Sequence, residues 1–289
     1  MNEKMEAASK GYVFVTGATS GIGKSTSLHL LDDGYHVLAA CYPDIAAGED
    51  LKQRSPDKVT LIPLDIADDE SVCMASQKIE GVTQDSGLKG LVNCAGVAFL
   101  CPAELITPQE FRQIIGINLI GTFAVIQALL PQLRKGSGTI VNVSSDAGLL
   151  AMPTGAAYCA SKFGVESLSD VLRAETLGQG IKVVVIEPGN IDTPIWNTLH
   201  GPLKEKQAGL TPELEQLYGD YLTSLLATQR QGIPVERVAE TILGALNSNK
   251  PKIRYRVGPD ATLSWIVSKF PARLRDSIAN KIMKSYASE

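Results

Sequence analysis

Thr16-Gly17-Ala18-Thr19-Ser20-Gly21-Ile22-Gly23 is the stretch that decides the fold. It follows the β-branched run Tyr12–Thr16 and opens a segment of helical character, so it reads as strand, glycine turn, helix. Glycines at such a junction let the backbone approach a pyrophosphate at the positive end of a helix. The spacing is Gly-x3-Gly-x-Gly. That differs from the more widespread Gly-x-Gly-x-x-Gly dinucleotide fingerprint, and no Gly-Lys-Ser/Thr closes it as a P-loop requires.

Outward from this turn, further strand-like runs recur at His36–Cys41, Val59–Pro63, Gly90–Asn93, Thr139–Val143 and Lys182–Glu187, with helix-length segments between them. Val183-Val184-Val185-Ile186 is continuously apolar, as befits a strand covered on both faces. A seventh run, Ile253–Val257, reads as an edge strand. Strand and helix in alternation predict an α/β fold: a single-domain, Rossmann-type, doubly wound parallel sheet of about seven strands, its ligand beyond the strands' carboxyl ends. One catalytic domain is expected over residues 1–289, with a substrate-loop insertion at 194–235 and a C-terminal helical extension at 261–289. In the insertion, Leu214, Leu217, Tyr218, Tyr221, Leu222 and Leu225 fall at helical spacing.

Composition narrows the function. Lys and Arg number 27 against 31 Asp and Glu, a net charge of −4 that argues against a nucleic-acid partner. The five cysteines form no Cys-x-x-Cys pair, and with three scattered histidines they predict no metal site. So sparse and odd a set fits a reducing, cytoplasmic setting. No uninterrupted apolar run approaches ~18 residues, and the opening Met1-Asn2-Glu3-Lys4 lacks the apolar core of a secretory signal.

Tyr158-Cys159-Ala160-Ser161-Lys162 sets a phenol and an ammonium one helical turn apart on one face. A positive charge ~4 Å from the phenol is worth up to about 4 kcal/mol at an effective dielectric of ~20. That corresponds to as much as about three pKa units, so the spacing predicts a phenol lowered into general acid/base range by Lys162. Ser145 stands thirteen residues before Tyr158, at the end of Thr139-Ile140-Val141-Asn142-Val143-Ser144-Ser145, where a strand end would present its hydroxyl beside the phenol. Ser144 points to the other face.

Together, the glycine turn, Ser145, Tyr158 and Lys162 resemble the short-chain dehydrogenase/reductase family in its single-domain branch. Val37-Leu38-Ala39-Ala40-Cys41 looks like the retinol and hydroxysteroid dehydrogenases within it. The resemblance implies that Ser145 holds the substrate carbonyl, Tyr158 transfers the proton, Lys162 binds the nicotinamide ribose, and Asn118 anchors a proton-relay water. It implies a cofactor held by Gly17, Thr19, Ser20, Gly21, Ile22 and Gly23, by Asp65 and Ile66 at the adenine, and by Asn93, Ala95 and Gly96. Pro188, Gly189, Ile191 and Thr193 complete that set, while Cys94 departs from the family's Asn-Asn-Ala-Gly turn.

Cys41-Tyr42-Pro43 after the second strand and Ser20 in the turn offer no cation for a 2′-phosphate, which favours NAD. NADP stays open because Lys24 and Arg54 lie within sequence reach. Apolar candidate walls, Val97-Ala98-Phe99-Leu100, Leu149-Leu150-Ala151-Met152 and Trp196, Leu199 and Leu203, suit a steroid-, retinoid- or lipid-like alcohol and its carbonyl. Residues 263–287 join apolar and basic side chains and read as a lid, a partner contact or a peripheral membrane contact. The resemblance also implies a homodimer or homotetramer through the helices carrying Asn118 and Tyr158. The competing readings are a nucleotide-binding regulator or scaffold on the same fold and a reductase of another small carbonyl using NADPH. An epimerase or dehydratase of the extended branch is disfavoured by the glycine spacing and the length.

Overall fold

The computed structural model describes residues 9–196, 200–227 and 232–285. Seven strands form a parallel sheet: β1 (Tyr12–Thr16), β2 (His36–Cys41), β3 (Val59–Pro63), β4 (Leu88–Asn93), β5 (Thr139–Val143), β6 (Lys182–Pro188) and β7 (Arg254–Val257). Their order is β3-β2-β1-β4-β5-β6-β7, so the winding reverses between β1 and β4 and opens a crevice beyond the carboxyl ends. The doubly wound reading from the alternating runs therefore holds.

The helices in chain order are α1 (Gly21–Asp32), α2 (Glu49–Arg54), α3 (Asp69–Thr83), α4 (Pro108–Ile115), α5 (Thr122–Gly136) and α6 (Ala156–Glu175). After β6 come α7 (His200–Ala208), α8 (Pro212–Ala227) and α9 (Val235–Asn247), and after β7 come α10 (Pro259–Val267) and α11 (Ala272–Ser285). Strand periodicity sorts the side chains into two cores. Val13, Val15, Val37, Val184 and Ile186 face α1 and α9, where they meet Leu30, Val238 and Ile242. Phe14, Leu38, Ile62 and Leu91 face the opposite layer, where Ile79 of α3 and Ile126, Leu129 and Leu133 of α5 close over them.

Two boundaries differ from the apolar runs. β4 begins at Leu88 rather than Gly90 because Lys89, which interrupts the run, lays its stem over Gly11 and donates from Nζ to the Gly136 carbonyl at 3.0 Å. β7 begins at Arg254; Ile253 before it is exposed, although its carbonyl still accepts from the Val185 amide of β6 at 2.9 Å. The expectation of no membrane-length apolar segment also needs correction. Helical residues Pro108–Gly136, which include α4 and α5, contain an 18-residue window of mean hydropathy 1.9. Asn118, Thr122 and Gln127 break the run of apolar letters without adding charge. The inner face of this segment, including Val125, Ile126, Leu129 and Leu133, packs in the sheet's second core.

Candidate active site

The glycine turn is shaped by what surrounds it. Gly17 has φ +63°, and a Cβ there would lie 2.9 Å from the Ala95 amide nitrogen. At Gly23 a Cβ would come within 2.1 Å of the Gly17 carbonyl oxygen, so side chains are excluded at both positions. The Thr16 hydroxyl accepts from the amides of Cys94 and Ala95, each at 3.1 Å, and ties the ends of β1 and β4 together across the switch point. Ser20 precedes α1 without a side-chain cap, and the first turn carries no acidic residue. A helix start left this way suits an anionic group. Thr19 is partly buried in the turn, Ile22 faces the cavity, and Thr193 would sit 3.5 Å from a Cβ on Gly21.

Beyond the strand ends lies a cavity of about 230 Å³. Ser145, Tyr158 and Lys162 line it with Ile22, Gly96, Pro188, Gly189, Ile191 and Thr193. The structure thus gathers Ser145, Tyr158 and Lys162 from just beyond β5 and from the first turns of α6, and the last four residues from the end of β6 and the chain after it. Val97, Ala98, Leu100, Leu150, Met152 and Leu203 form apolar wall, joined by Leu225 of α8, Leu263 of α10 and Ile282 of α11. Phe99 instead packs with Leu203 and Leu222, and Leu149 and Ala151 do not reach the lining. Leu199 and the Trp196 side chain lie outside the described part of the molecule.

Asn118 sits in a π-helical turn, Gly116–Gly121, between α4 and α5. Its Oδ1 accepts from the Val97 amide at 2.8 Å, and its Nδ2 donates to the Val97 carbonyl at 2.9 Å and to Ser161 Oγ at 3.0 Å. The side chain therefore clamps the loop after β4 to α6, beside Gly96. A π-turn widens the helix locally and often marks a functional position. Other expected residues are placed differently. Asn93 donates to Asn142 Oδ1 at 2.8 Å, which links β4 to β5, and Asp65 accepts from the Ala67 amide at 2.9 Å to shape its own turn. Ile66 follows that turn with its carbonyl packed against Gly121. Asp146 and Ser161 were not singled out by sequence, and Thr16 entered only as part of the glycine-turn motif. Only Thr16, at the strand end before the first glycine, carries a positional signal.

Electrostatics overturn one expectation. Lys162 does not dominate Tyr158: its Nζ donates to the Val143 carbonyl at 2.9 Å and stands 5.8 Å from the phenol ring centroid. Burial pushes the Tyr158 phenol above its ordinary range; a hydrogen bond with Ser145 pulls the other way, and the Asp146 carboxylate adds to the rise. Burial also draws the Lys162 ammonium down to about 8, against the opposing influence of Cys94 and Glu166. Helical spacing placed the two groups correctly. It did not contain the desolvation that here outweighs their mutual attraction. Ser145 Oγ meanwhile donates to Asp146 Oδ1 at 2.8 Å and accepts from the Ala147 amide at 3.1 Å.

A family model described as short chain dehydrogenase matches residues 11–202. Human retinol dehydrogenase 5 (Homo sapiens) is 36% identical over 287 residues, covering 96% of this chain and 90% of its own length. Human retinol dehydrogenase 16 is 37% identical over 277 residues, covering 92% and 87%. Among solved structures, a short-chain dehydrogenase from Streptomyces avermitilis superposes with a TM-score of 0.78 at 27% identity, over 96% of this chain and 98% of that one.

The buried ammonium carries a stability cost that pH reveals. Between about pH 8 and the ordinary lysine value of 10.5, the folded chain has released the Lys162 proton while the unfolded chain still binds it, so stability rises with pH across that window. Lys162→Met is expected to stabilise the unliganded chain below pH 8 by up to about 3 kcal/mol. The advantage should fade by about pH 10.5. Urea unfolding of both proteins across this range checks it; a pH-independent difference would contradict it.

Proposed function

We infer that this chain, which belongs to the short-chain dehydrogenase family and is a nicotinamide-dependent oxidoreductase of CH–OH groups, interconverts a hydrophobic alcohol and its ketone or aldehyde. The alcohol is of steroid-, retinoid- or lipid-like kind. The observation that carries this reading is the convergence of Ser145, Tyr158 and Lys162 on one cavity whose remaining wall is largely apolar. The retinol dehydrogenases among its relatives support the same substrate class.

The bound dinucleotide would supply the hydride acceptor or donor. It would be held by the backbone of the glycine turn, by the loop after β4 at Ala95 and Gly96, and by Pro188, Gly189, Ile191 and Thr193. Ser145 would donate a hydrogen bond to the substrate oxygen. Tyr158 would take the hydroxyl proton in oxidation and return it in reduction. Lys162 would hold the nicotinamide ribose and favour the ionised phenol. Asn118 would fix the loop that forms the cavity's upper wall, with its water-anchoring role following the family.

We favour NAD over NADP. Lys24 is paired with Asp50, and Arg54 with Asp32 at 2.8 Å, so the two cations within sequence reach of a 2′-phosphate are already engaged. The five free thiols suit the proposed cytoplasmic setting. A homodimer or tetramer is supported by the exposed Phe111, Ile120, Phe123, Phe163 and Val171 on the α4–α5 and α6 faces. Peripheral contact with an anionic lipid surface is supported by Leu263, Ile266, Phe270 and Leu274, exposed on α10, α11 and their junction beside Lys269, Arg273 and Arg275. Leu263 and Ile282 also line the cavity, so this segment would set the substrate mouth against the lipid.

Nicotinamide absorbance with NAD or NADP and a panel of steroid, retinoid, aliphatic and sugar alcohols tests the reading. Turnover is expected with apolar alcohols and NAD, and Tyr158→Phe is expected to lose about 10²–10⁴-fold in kcat while still binding cofactor. A Tyr158→Phe protein retaining half the native rate would remove the assigned acid/base. For assembly, sedimentation is expected to give a dimer or tetramer that Ile120→Asp dissociates; a native monomer at micromolar concentration sinks that part. Flotation is expected with phosphatidylserine-containing vesicles and not with neutral ones, and equal recovery from both contradicts the electrostatic contact.

A further inference from the structure

Behind the cavity wall, α6, β6 and β7 meet around Arg254, in a cluster that the mechanism above leaves unused. The guanidinium reaches Glu166 at 3.0 Å, Asp170 at 2.8 Å and Glu187 at 3.3 Å, and Arg256 adds a longer contact to Glu187 at 3.8 Å. Glu187 is fully buried and Glu166 nearly so. Glu166 stands one helical turn beyond Lys162 on α6, and its side chain and the hydroxyl of Ser144, the neighbour of Ser145, both crowd against Gly148. The cluster therefore touches the two elements that present the catalytic hydroxyl and the ammonium.

An ammonium this deeply buried needs a counter-charge to remain protonated. Its surroundings are the Val143 carbonyl, the Tyr158 ring, Cys94 and Glu166. The Val143 carbonyl is neutral. Burial holds the Cys94 thiol protonated up to about 12, so it carries no charge in the working range. Asp146 acts on Tyr158. Glu166, one turn further along α6 and not ion-paired with Lys162, is the carboxylate whose charge reaches the ammonium through the helix register, and it faces Arg254 from β7, Ser144 from the end of β5 and Asp170 from its own helix, with Glu187 of β6 nearby. Burial, with the Asp170 carboxylate, favours a neutral Glu166 and holds it above the ordinary glutamate range, while the Arg254 guanidinium at 3.0 Å favours the carboxylate.

We propose that Glu166, kept ionised by Arg254, is a positioning residue that holds Lys162 charged and seated for the cofactor ribose. The proposal rests on the reading of Lys162 given above. A purely structural staple between α6 and β7 would show the same contacts, so the test must read the ammonium itself.

In the unliganded full-length chain, melting temperatures of the native protein, Glu166→Gln, Lys162→Met and the double variant form a cycle at neutral pH. Glu166→Gln strands an ammonium only where Lys162 is present. Its drop in melting temperature should be larger in the native background than in the Lys162→Met background, by about 2–4 °C. Equal drops overturn the proposal. No turnover enters this arm, so its outcome is independent of the substrate reading. In the second arm, the pH dependence of kcat is followed by nicotinamide absorbance. The alkaline limb of Glu166→Gln should move down by about one pH unit. Glu166→Asp should keep the native limb, as should Asp170→Asn, which removes a different partner of Arg254. A slower Glu166→Gln enzyme with an unmoved limb overturns the proposal. Should Glu166→Gln not fold, Arg254→Gln, which releases Glu166 to take up a proton, is read by the same limb with the same two outcomes.

Discussion

A buried positive charge at the carboxyl end of a parallel sheet is the constraint around which this molecule is arranged. Lys162 donates to the Val143 carbonyl at 2.9 Å, and the chain around it offers little water. An isolated charge in such surroundings is unfavourable by several kcal/mol, and proteins retain one where its chemistry is needed. The sheet makes it possible: β5 ends where its last carbonyl can accept from the ammonium, and α6 starts so that Tyr158 and Lys162 share the face turned to that end. The winding reversal between β1 and β4 then leaves a crevice in which the glycine turn, the loop after β4 and the Pro188-Gly189 turn surround the charge.

Fixing that geometry requires several linkages that have no chemistry of their own. Thr16 joins the ends of β1 and β4, Asn118 joins the loop after β4 to α6, and Arg254 joins α6 to β6 and β7. Each is a polar side chain, buried or partly buried, that spans elements distant in sequence. Such contacts hold a site within the tolerance that proton and hydride transfer demand. The apolar wall, by contrast, is drawn from the segments after β4 and β5 and from α7, α8, α10 and α11, where side chains can vary without disturbing the sheet.

The strand order and the convergence of Ser145, Tyr158 and Lys162 on one cavity were legible because each rests on a short-range pattern: apolar runs of period two, a glycine turn at a strand end, and a phenol and ammonium one helical turn apart. What was not legible depends on distance in space. The charge on Lys89 hid the start of β4, although its stem packs over Gly11. The uncharged Asn118, Thr122 and Gln127 hid how apolar the α4–α5 segment is as a whole. No spacing announces that Asn118 sits in a π-turn or that Arg254 bridges three carboxylates. The direction in which Tyr158 shifts was missed for the same reason, since Lys162 was visible in the sequence and the burial was not.

In the unliganded site burial raises the Tyr158 phenol and lowers the Lys162 ammonium; if this is the nicotinamide site proposed above, a bound oxidised dinucleotide, whose ring is cationic, would favour the ionised phenol. Ultraviolet difference titration of tyrosinate, comparing the native chain with Tyr158→Phe in the presence and absence of NAD, tests this directly. The account predicts that the Tyr158 signal ionises above the ordinary tyrosine range without cofactor and moves markedly downward with it. A Tyr158 titration that is the same in both states, with NAD shown to be bound, would contradict it.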